Sequence, residues 1–365
     1  MIYLAILGRQ PEISIAELEA LFSHVKKIDL SLAEFESKTP PNIDRLGGSL
    51  KIAEKLAISP LELFKDLPNG KITIGLSDFS HHASKKSASS EALKLKKILV
   101  RHGRSVRVVE NKTSVLSTAT SLHNGLSGKN PRKIELIKVD NDWYRVIGIQ
   151  DIDAYTKRDQ ARPARDAKVG MLPPKLAQVL INLCGPLKPG STVLDPFCGT
   201  GVVLQEALLM DYRAYGTDIN PRMVEYSEKN LKWLPHPEKK SFQVTVGDAT
   251  IIQWQTPIDA VACEGYLGKP FSKIPPIIEL KEQIEICQTI ILDFLNNLSK
   301  QINPHTPVVI AIPAWLREDG EYQRLEVVDK ISDMGYNVNN KTREGLLYCR
   351  EGQIVARDIL ILRKK

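Results

Sequence analysis

This chain of 365 residues has few cysteines and no long apolar run. Its five cysteines, Cys184, Cys198, Cys263, Cys287 and Cys349, are odd in number and scattered. That pattern excludes a disulfide framework and a zinc site of paired ligands. It fits a reducing cytoplasm. No apolar stretch approaches the length of a membrane span. The opening Met1–Leu7 is too short, and too uncharged at its start, for a signal peptide. What is present, 42% apolar and 25% charged residues, is ordinary for a soluble protein, and the length suits two or three domains.

The net charge of +7 permits a polyanionic partner. Its distribution says more. Nine basic residues stand against two acids between Lys85 and Lys112, and six against two between Lys157 and Lys175. The remainder of the chain is slightly acidic. Two localised basic segments suggest an RNA-binding footprint, with Lys94, Lys97, Arg101, Arg104, Arg107, Arg162 and Arg165 as candidate contacts. The plainer alternative is a solvated face.

The chemistry is concentrated in Thr192-Val193-Leu194-Asp195-Pro196-Phe197-Cys198-Gly199-Thr200-Gly201. A β-branched run ends in an acid, a Gly-rich turn follows, and a helical pattern begins at Val202. That is the first unit of a nucleotide-binding α/β domain. Gly199 and Gly201 allow positive φ and close approach of a ligand. Asp218 ends a second strand, 17 residues after Gly201, where a ribose-binding carboxylate belongs. A third strand, Phe242 to Val246, runs into Gly247-Asp248. The turn lacks the third glycine that a pyrophosphate would want, and Asp195 at its mouth favours a cation. S-adenosyl-L-methionine fits: adenosine, ammonium and sulfonium. The alternative is a Rossmann-like scaffold with an empty or nucleotide site.

Asp195-Pro196-Phe197-Cys198-Gly199-Thr200-Gly201 resembles the cofactor motif of amino-group methyltransferases acting on nucleic acids. Arg162-Pro163-Ala164-Arg165-Asp166 with Gly170-Met171-Leu172-Pro173-Pro174-Lys175-Leu176-Ala177 resembles the segment before the catalytic domain of THUMP-containing tRNA guanine-N2 methyltransferases. Tyr3–Gly8, Ile15–Leu21 and Gly47–Ala53 resemble that family's N-terminus. The resemblance implies methylation of the exocyclic amine of guanosine 10 in tRNA. Archaeal members act alone, and eukaryotic members need a small activating subunit. It further implies cofactor contacts at Asp195, Phe197, Gly199, Gly201, Asp218 and Asp248, and direct methyl transfer without a metal.

The expected architecture is α/β. A Rossmann-like class I methyltransferase domain, a mostly parallel seven-stranded sheet with a terminal antiparallel hairpin, would occupy residues 171–365. Before it would come an α+β ferredoxin-like unit (1–66), a THUMP-like RNA-binding domain (67–150) and a linker (151–170). The patterning predicts helices around 52–56, over 89–102, over 113–126 with Thr113 as N-cap, and over 320–334. It predicts strands at 2–7, 71–76 and 106–109, and hairpins at 134–149 and 346–362.

One place departs from the family. After the fourth strand its amine methyltransferases carry Asp or Asn, two prolines and an aromatic. Here the chain reads Cys263-Glu264-Gly265-Tyr266-Leu267-Gly268. Glu264 can accept from the target amine and Tyr266 can stack on an extruded base. Three readings stay open: the same roles in a rearranged loop, another target atom or RNA base, or an RNA-binding protein that no longer transfers methyl groups. A DNA amino-methyltransferase would want a target-recognition domain, which is not evident. Trp315, after the fifth strand, suits a base pocket or, more simply, the core.

Overall fold

Eight short strands before residue 150 form one sheet: β1 (Ile2–Leu7), β2 (Ser23–Lys27), β3 (Leu32–Glu36), β4 (Ser49–Lys55), β5 (Ile72–Asp78), β6 (Val106–Val108), β7 (Lys133–Val139) and β8 (Asp142–Ile149). Their order is β2-β3-β1-β4-β8-β7-β5-β6. The molecule, a computed structural model, is described over residues 1–65, 67–166, 171–239, 241–255 and 257–365. It divides into two units, Met1–Ala154 and Tyr155–Lys365. The expected boundary residue 66 and residues 167–170 of the expected linker, with Gly170, lie outside the described residues.

The expected split at residue 66 does not separate two sheets, because β4 pairs with both β1 and β8. The helix expected around 52–56 is β4 itself. Strands on both sides override local propensity there. Lys51 in that strand is buried, and its Nζ donates to Glu135 Oε1 at 2.6 Å, Ser121 Oγ at 2.8 Å and Leu116 O at 2.9 Å. Gly47-Gly48 before it is a clamped turn: both N–H groups donate to the buried Glu17 carboxylate, and a Cβ on Gly48 would meet Ser14 Cα at 2.8 Å.

The basic helix runs Lys85–Arg101. Ala88, Ala92, Leu95 and Leu99, spaced four, three and four apart, form its buried stripe. Ser84 and Ser87 cap it reciprocally. The helix expected over 113–126 shrinks to Thr118–His123, capped by Ser117 rather than Thr113. Ahead of it, Ser77 Oγ takes the Leu116 N–H at 3.0 Å and holds the chain off the helical path.

The helix Ile152–Gln160 occupies the start of the expected linker and crosses the boundary at residue 154, and the helix Pro174–Leu183 follows in the second unit. Its strands are β9 (Thr192–Asp195), β10 (Arg213–Asp218), β11 (Phe242–Val246), β12 (Ala260–Glu264), β13 (Pro307–Leu316), β14 (Tyr322–Arg324), β15 (Tyr336–Val338), β16 (Leu347–Tyr348) and β17 (Val355–Lys364). Seven lie on the main path, in the order β11-β10-β9-β12-β13-β17-β15. The first five pair in parallel, and β17 runs antiparallel to both neighbours. This is the expected Rossmann-like sheet. The outer partner of β17 is mainly β15, too short to show a period in sequence. β14 replaces the start of the helix expected over 320–334, because Tyr322–Arg324 pair back onto β13. Only Val328–Asp333 is helical there.

β13 is apolar throughout and buried on both faces, as a central strand should be. The helix Ile277–Ser299 packs on it through Leu280, Cys287, Ile291, Phe294 and Leu298. The crevice that matters lies between β9 and β12. Strand order reverses direction there, and such sheets bind ligands outside the carboxyl ends at that switch point.

Candidate active site

Four acids end four adjacent strands, or follow them directly. Asp248 comes two residues after β11, Asp218 ends β10, Asp195 ends β9 and Glu264 ends β12. The parallel registers put Asp195 opposite Gly216 and Asp218 opposite Val246, so the carboxylates form a row along one edge of the sheet.

The turn after β9 is built to keep that row open. Gly201 has φ 80° and Gly199 φ 50°, values at which a side chain is strained. A Cβ on Gly199 would meet nothing nearer than Phe197 O at 3.9 Å, so the space above the turn is free. A Cβ on Gly201 would instead meet Ser227 Oγ at 2.9 Å. Asp218 ties the turn to β10: its Oδ2 accepts from Gly199 N and its Oδ1 from Asn220 N, both at 2.9 Å. Phe197 is half-buried, edge-on to Phe294, so its ring anchors the turn to the core.

Asp195 is 2% exposed. Its Oδ1 accepts from Phe197 N at 3.1 Å. Burial holds its carboxyl well above the ordinary aspartate range. The Phe197 N–H opposes this, and the Asp218 and Glu264 carboxylates add to it. A crevice in which three acids repel one another accommodates a cation far better than a phosphate. Ile219 beside Asp218 and Ile251 after Asp248 are 69% and 73% exposed, apolar side chains available to a flat ring. Asp248 spends Oδ1 on Thr250, from the N–H at 2.9 Å and the hydroxyl at 2.7 Å. The donor set, an open Gly turn, a row of acids and two exposed apolar side chains, fits an adenosine bearing a positive charge.

The substrate end differs from the expectation in one respect. Glu264 is not a free acceptor: Arg357 Nε on β17 donates to its Oε1. Arg357 is not legible as a site residue in sequence, since 93 positions separate it from Glu264. Tyr266 is 41% exposed in the following loop, accessible for stacking. Trp315 is fully buried and belongs to the core.

Several basic residues expected to touch RNA do not share one fate. Lys94, Lys97, Arg101 and Arg107 are exposed, and a cavity of about 520 Å³ lined by Lys71, Lys96 and Arg107 opens between the basic helix and β6. Lys94 lies 3.4 Å from Glu91. Arg104 is half-buried and donates to Leu67 O and Pro68 O, so it staples a turn. Arg162 is 3% exposed. Its guanidinium reaches Thr200 Oγ1 and Met171 Sδ, both at 3.3 Å, under the Gly turn. Arg162 is therefore removed from the RNA-facing set. Its neighbours are spent likewise: Arg158 pairs with buried Glu206 at 2.7 Å, and Lys157 lies over the Trp233 ring. Arg165 is exposed, with one donor on Gln160 O.

Residues 162–283 match the RMKL-like methyltransferase domain of the UPF0020 family. This segment is a methyltransferase domain. The chain is 41% identical over 112 residues to the tRNA (guanine(10)-N2)-dimethyltransferase of Methanothermobacter thermautotrophicus, covering 30% of this chain and 32% of that one. It is 39% identical over 103 residues to the protein of the same name from Pyrococcus abyssi, covering 28% and 26%. The match to that of Methanocaldococcus jannaschii is 27% over 187 residues, covering 50% and 51%. The chain thus spans about half, or less, of the length of these relatives. The crystal structure of TrmN from Thermus thermophilus aligns over 100% of both chains at 16% identity, with a TM-score of 0.47. Among the described residues, no helix of this methyltransferase-domain protein is long and apolar enough to cross a membrane.

Proposed function

We propose that this chain is an S-adenosyl-L-methionine-dependent tRNA methyltransferase acting on the exocyclic N2 amine of guanosine 10. The observation that carries the reading is the row of four acids at the strand ends of a methyltransferase domain. The names of its archaeal relatives supply the substrate.

Asp195 and the Gly199 turn would hold the methionine portion, Asp218 the ribose hydroxyls and Asp248 the adenine amine, with Ile219 and Ile251 against the ring. When bound, the cofactor supplies a methyl group on a positively charged sulfur. The chain's own residues do the rest. Guanine presents two donors, N1–H and the N2 amine, side by side, and a carboxylate accepts from both. Adenine presents an acceptor where guanine has N1–H. Glu264 orients the amine nitrogen and takes up the proton it sheds on gaining the methyl group. Tyr266 stacks on the extruded base. The N-terminal unit is read as THUMP-like, with Lys94, Lys97, Arg101 and Arg107 meeting phosphates and Arg165 a further contact on the second unit.

A second reading, a protein that binds RNA and cofactor without transferring methyl groups, draws on the Arg357 bond to Glu264 and the missing prolines. An inosine substitution tests the proposal. Inosine at position 10 keeps the ring but lacks the N2 amine. A transcript with guanosine there should accept labelled methyl from the purified chain and the inosine transcript should not. Equal labelling contradicts the reading. A guanosine transcript labelled only after a small activating subunit is added would answer the partner question.

A further inference from the structure

Two neighbouring charges are buried near the start of β17. Arg357 is 4% and Asp358 1% exposed. Successive strand residues face opposite sides of a sheet, and each of these finds its own counter-charge. Asp358 takes Arg324 Nε at 2.6 Å and Nη2 at 3.1 Å. That leaves Arg357 for Glu264, across the intervening strand. Glu264 is paired in the ladder with Ala311, and Arg357 with Pro313, two residues further towards the carboxyl end of β13. The guanidinium thus reaches the end of β12, where the acids gather.

We propose that Arg357 is a positioning residue for methyl transfer: by holding Glu264 Oε1 it fixes that carboxylate and leaves Oε2 to the target amine. This rests on the function proposed above. Among the described residues Oε2 has no hydrogen-bond partner, and the Glu264 side chain keeps 16% of its surface exposed. Among the described residues the charged groups that act on Glu264 are Arg357 from β17 and Asp195 from β9; Cys263, the residue before it in β12, lies on the opposite face of the strand. Among the described residues only Arg357 favours the carboxylate. Burial pushes Glu264 above its ordinary value, and Arg357 opposes that shift. Without the guanidinium, the carboxyl would carry a proton over a wider pH range. A protonated carboxyl presents a donor to an amine that needs an acceptor. Tight prolines after the strand are dispensable if the acceptor is held from the side by an ion pair instead.

The test compares wild type, Arg357→Met and Arg357→Lys as full chains. The first readout is the pH titration of the Glu264 carboxyl in ligand-free protein, by carbon-13 NMR with Glu264→Gln to assign the signal. The second is single-turnover methyl transfer to tRNA against pH. In Arg357→Met the Glu264 titration should move up by about one unit or more, and the acid limb of the rate profile should move with it. At a pH below both titrations the rate should fall about tenfold for each unit of displacement, and at a pH well above both it should return to the wild-type rate. Arg357→Lys should restore most of the loss. An unmoved Glu264 titration, or a rate reduced equally at every pH, overturns the proposal. If Arg357→Met does not fold, the same comparison falls to Arg357→Lys, whose Glu264 titration should still shift measurably upward. An unshifted one overturns the proposal. A wild type that labels no tRNA refutes the function proposed above, while the titration still decides whether Arg357 governs Glu264.

Discussion

Replacing Asp218 by Ala should separate cofactor binding from RNA binding. The carboxylate has two tasks in this fold. It accepts the N–H groups of Gly199 and Asn220, each at 2.9 Å, and in the proposed function it would also hold the ribose hydroxyls. Hydrogen bonds to a charged group contribute about 1.5–3 kcal/mol each. Removing both hydrogen bonds to the ribose should therefore cost about 3 kcal/mol or more of cofactor affinity, roughly a 100-fold rise in Kd. The two backbone bonds are partly solvent-exposed, so their removal should lower stability by only about 1–2 kcal/mol. Asp218→Asn keeps one acceptor oxygen and should fall between wild type and Ala. Isothermal titration calorimetry with S-adenosylmethionine, on protein shown to be folded, gives the number. A Kd within threefold of wild type in Asp218→Ala would refute the assignment, and so would an equal loss of tRNA affinity.

Three further outcomes follow from particular residues. In the free protein Asp195 has a raised value, so it retains a proton above the ordinary aspartate range, and a cationic ligand must displace it. Cofactor affinity should accordingly climb as pH rises through that window, with net proton release detectable by calorimetry in buffers of different ionisation enthalpy; Asp195→Asn should bind weakly at every pH with the slope gone. Exchanging Lys94, Lys96 and Lys97 for Glu should lower the log–log salt slope of tRNA binding by about 0.7–0.9 for each phosphate no longer neutralised, and leave cofactor affinity alone. An unchanged slope would remove the basic helix from the interface. Gly201→Ala meets both a φ of 80° and Ser227 Oγ at 2.9 Å, so denaturant unfolding should show a loss of about 2 kcal/mol or more; a neutral result would mean the turn relaxes freely.

The cofactor end of the site is legible in sequence because its signals are local. Each of β9, β10 and β11 is a short strand that leads to an acid, and glycine or proline marks the turn within a few residues. The substrate end is not, because Arg357 meets Glu264 only through the register of β17 on β13. No spacing rule links positions so far apart. Charge runs mislead for a related reason. They show where cations cluster, but not that Arg104 is spent on the carbonyls of Leu67 and Pro68, or that Arg162 is buried against Thr200. Both are tertiary facts. β4 reads as a helix in sequence because its partners lie far before and after it in the chain. The pairing of β4 with β8 also erases the expected boundary at residue 66, which local strand and helix signals suggest.

In the proposed function the acids along this sheet edge serve methyl transfer to a guanine amine in tRNA. Its most direct test is to incubate the purified chain with labelled S-adenosylmethionine and unmodified tRNA, digest the RNA and identify the nucleosides by mass spectrometry. The expected product is N2-methylguanosine. A methyl group on another base, or none despite measured cofactor binding, would contradict it.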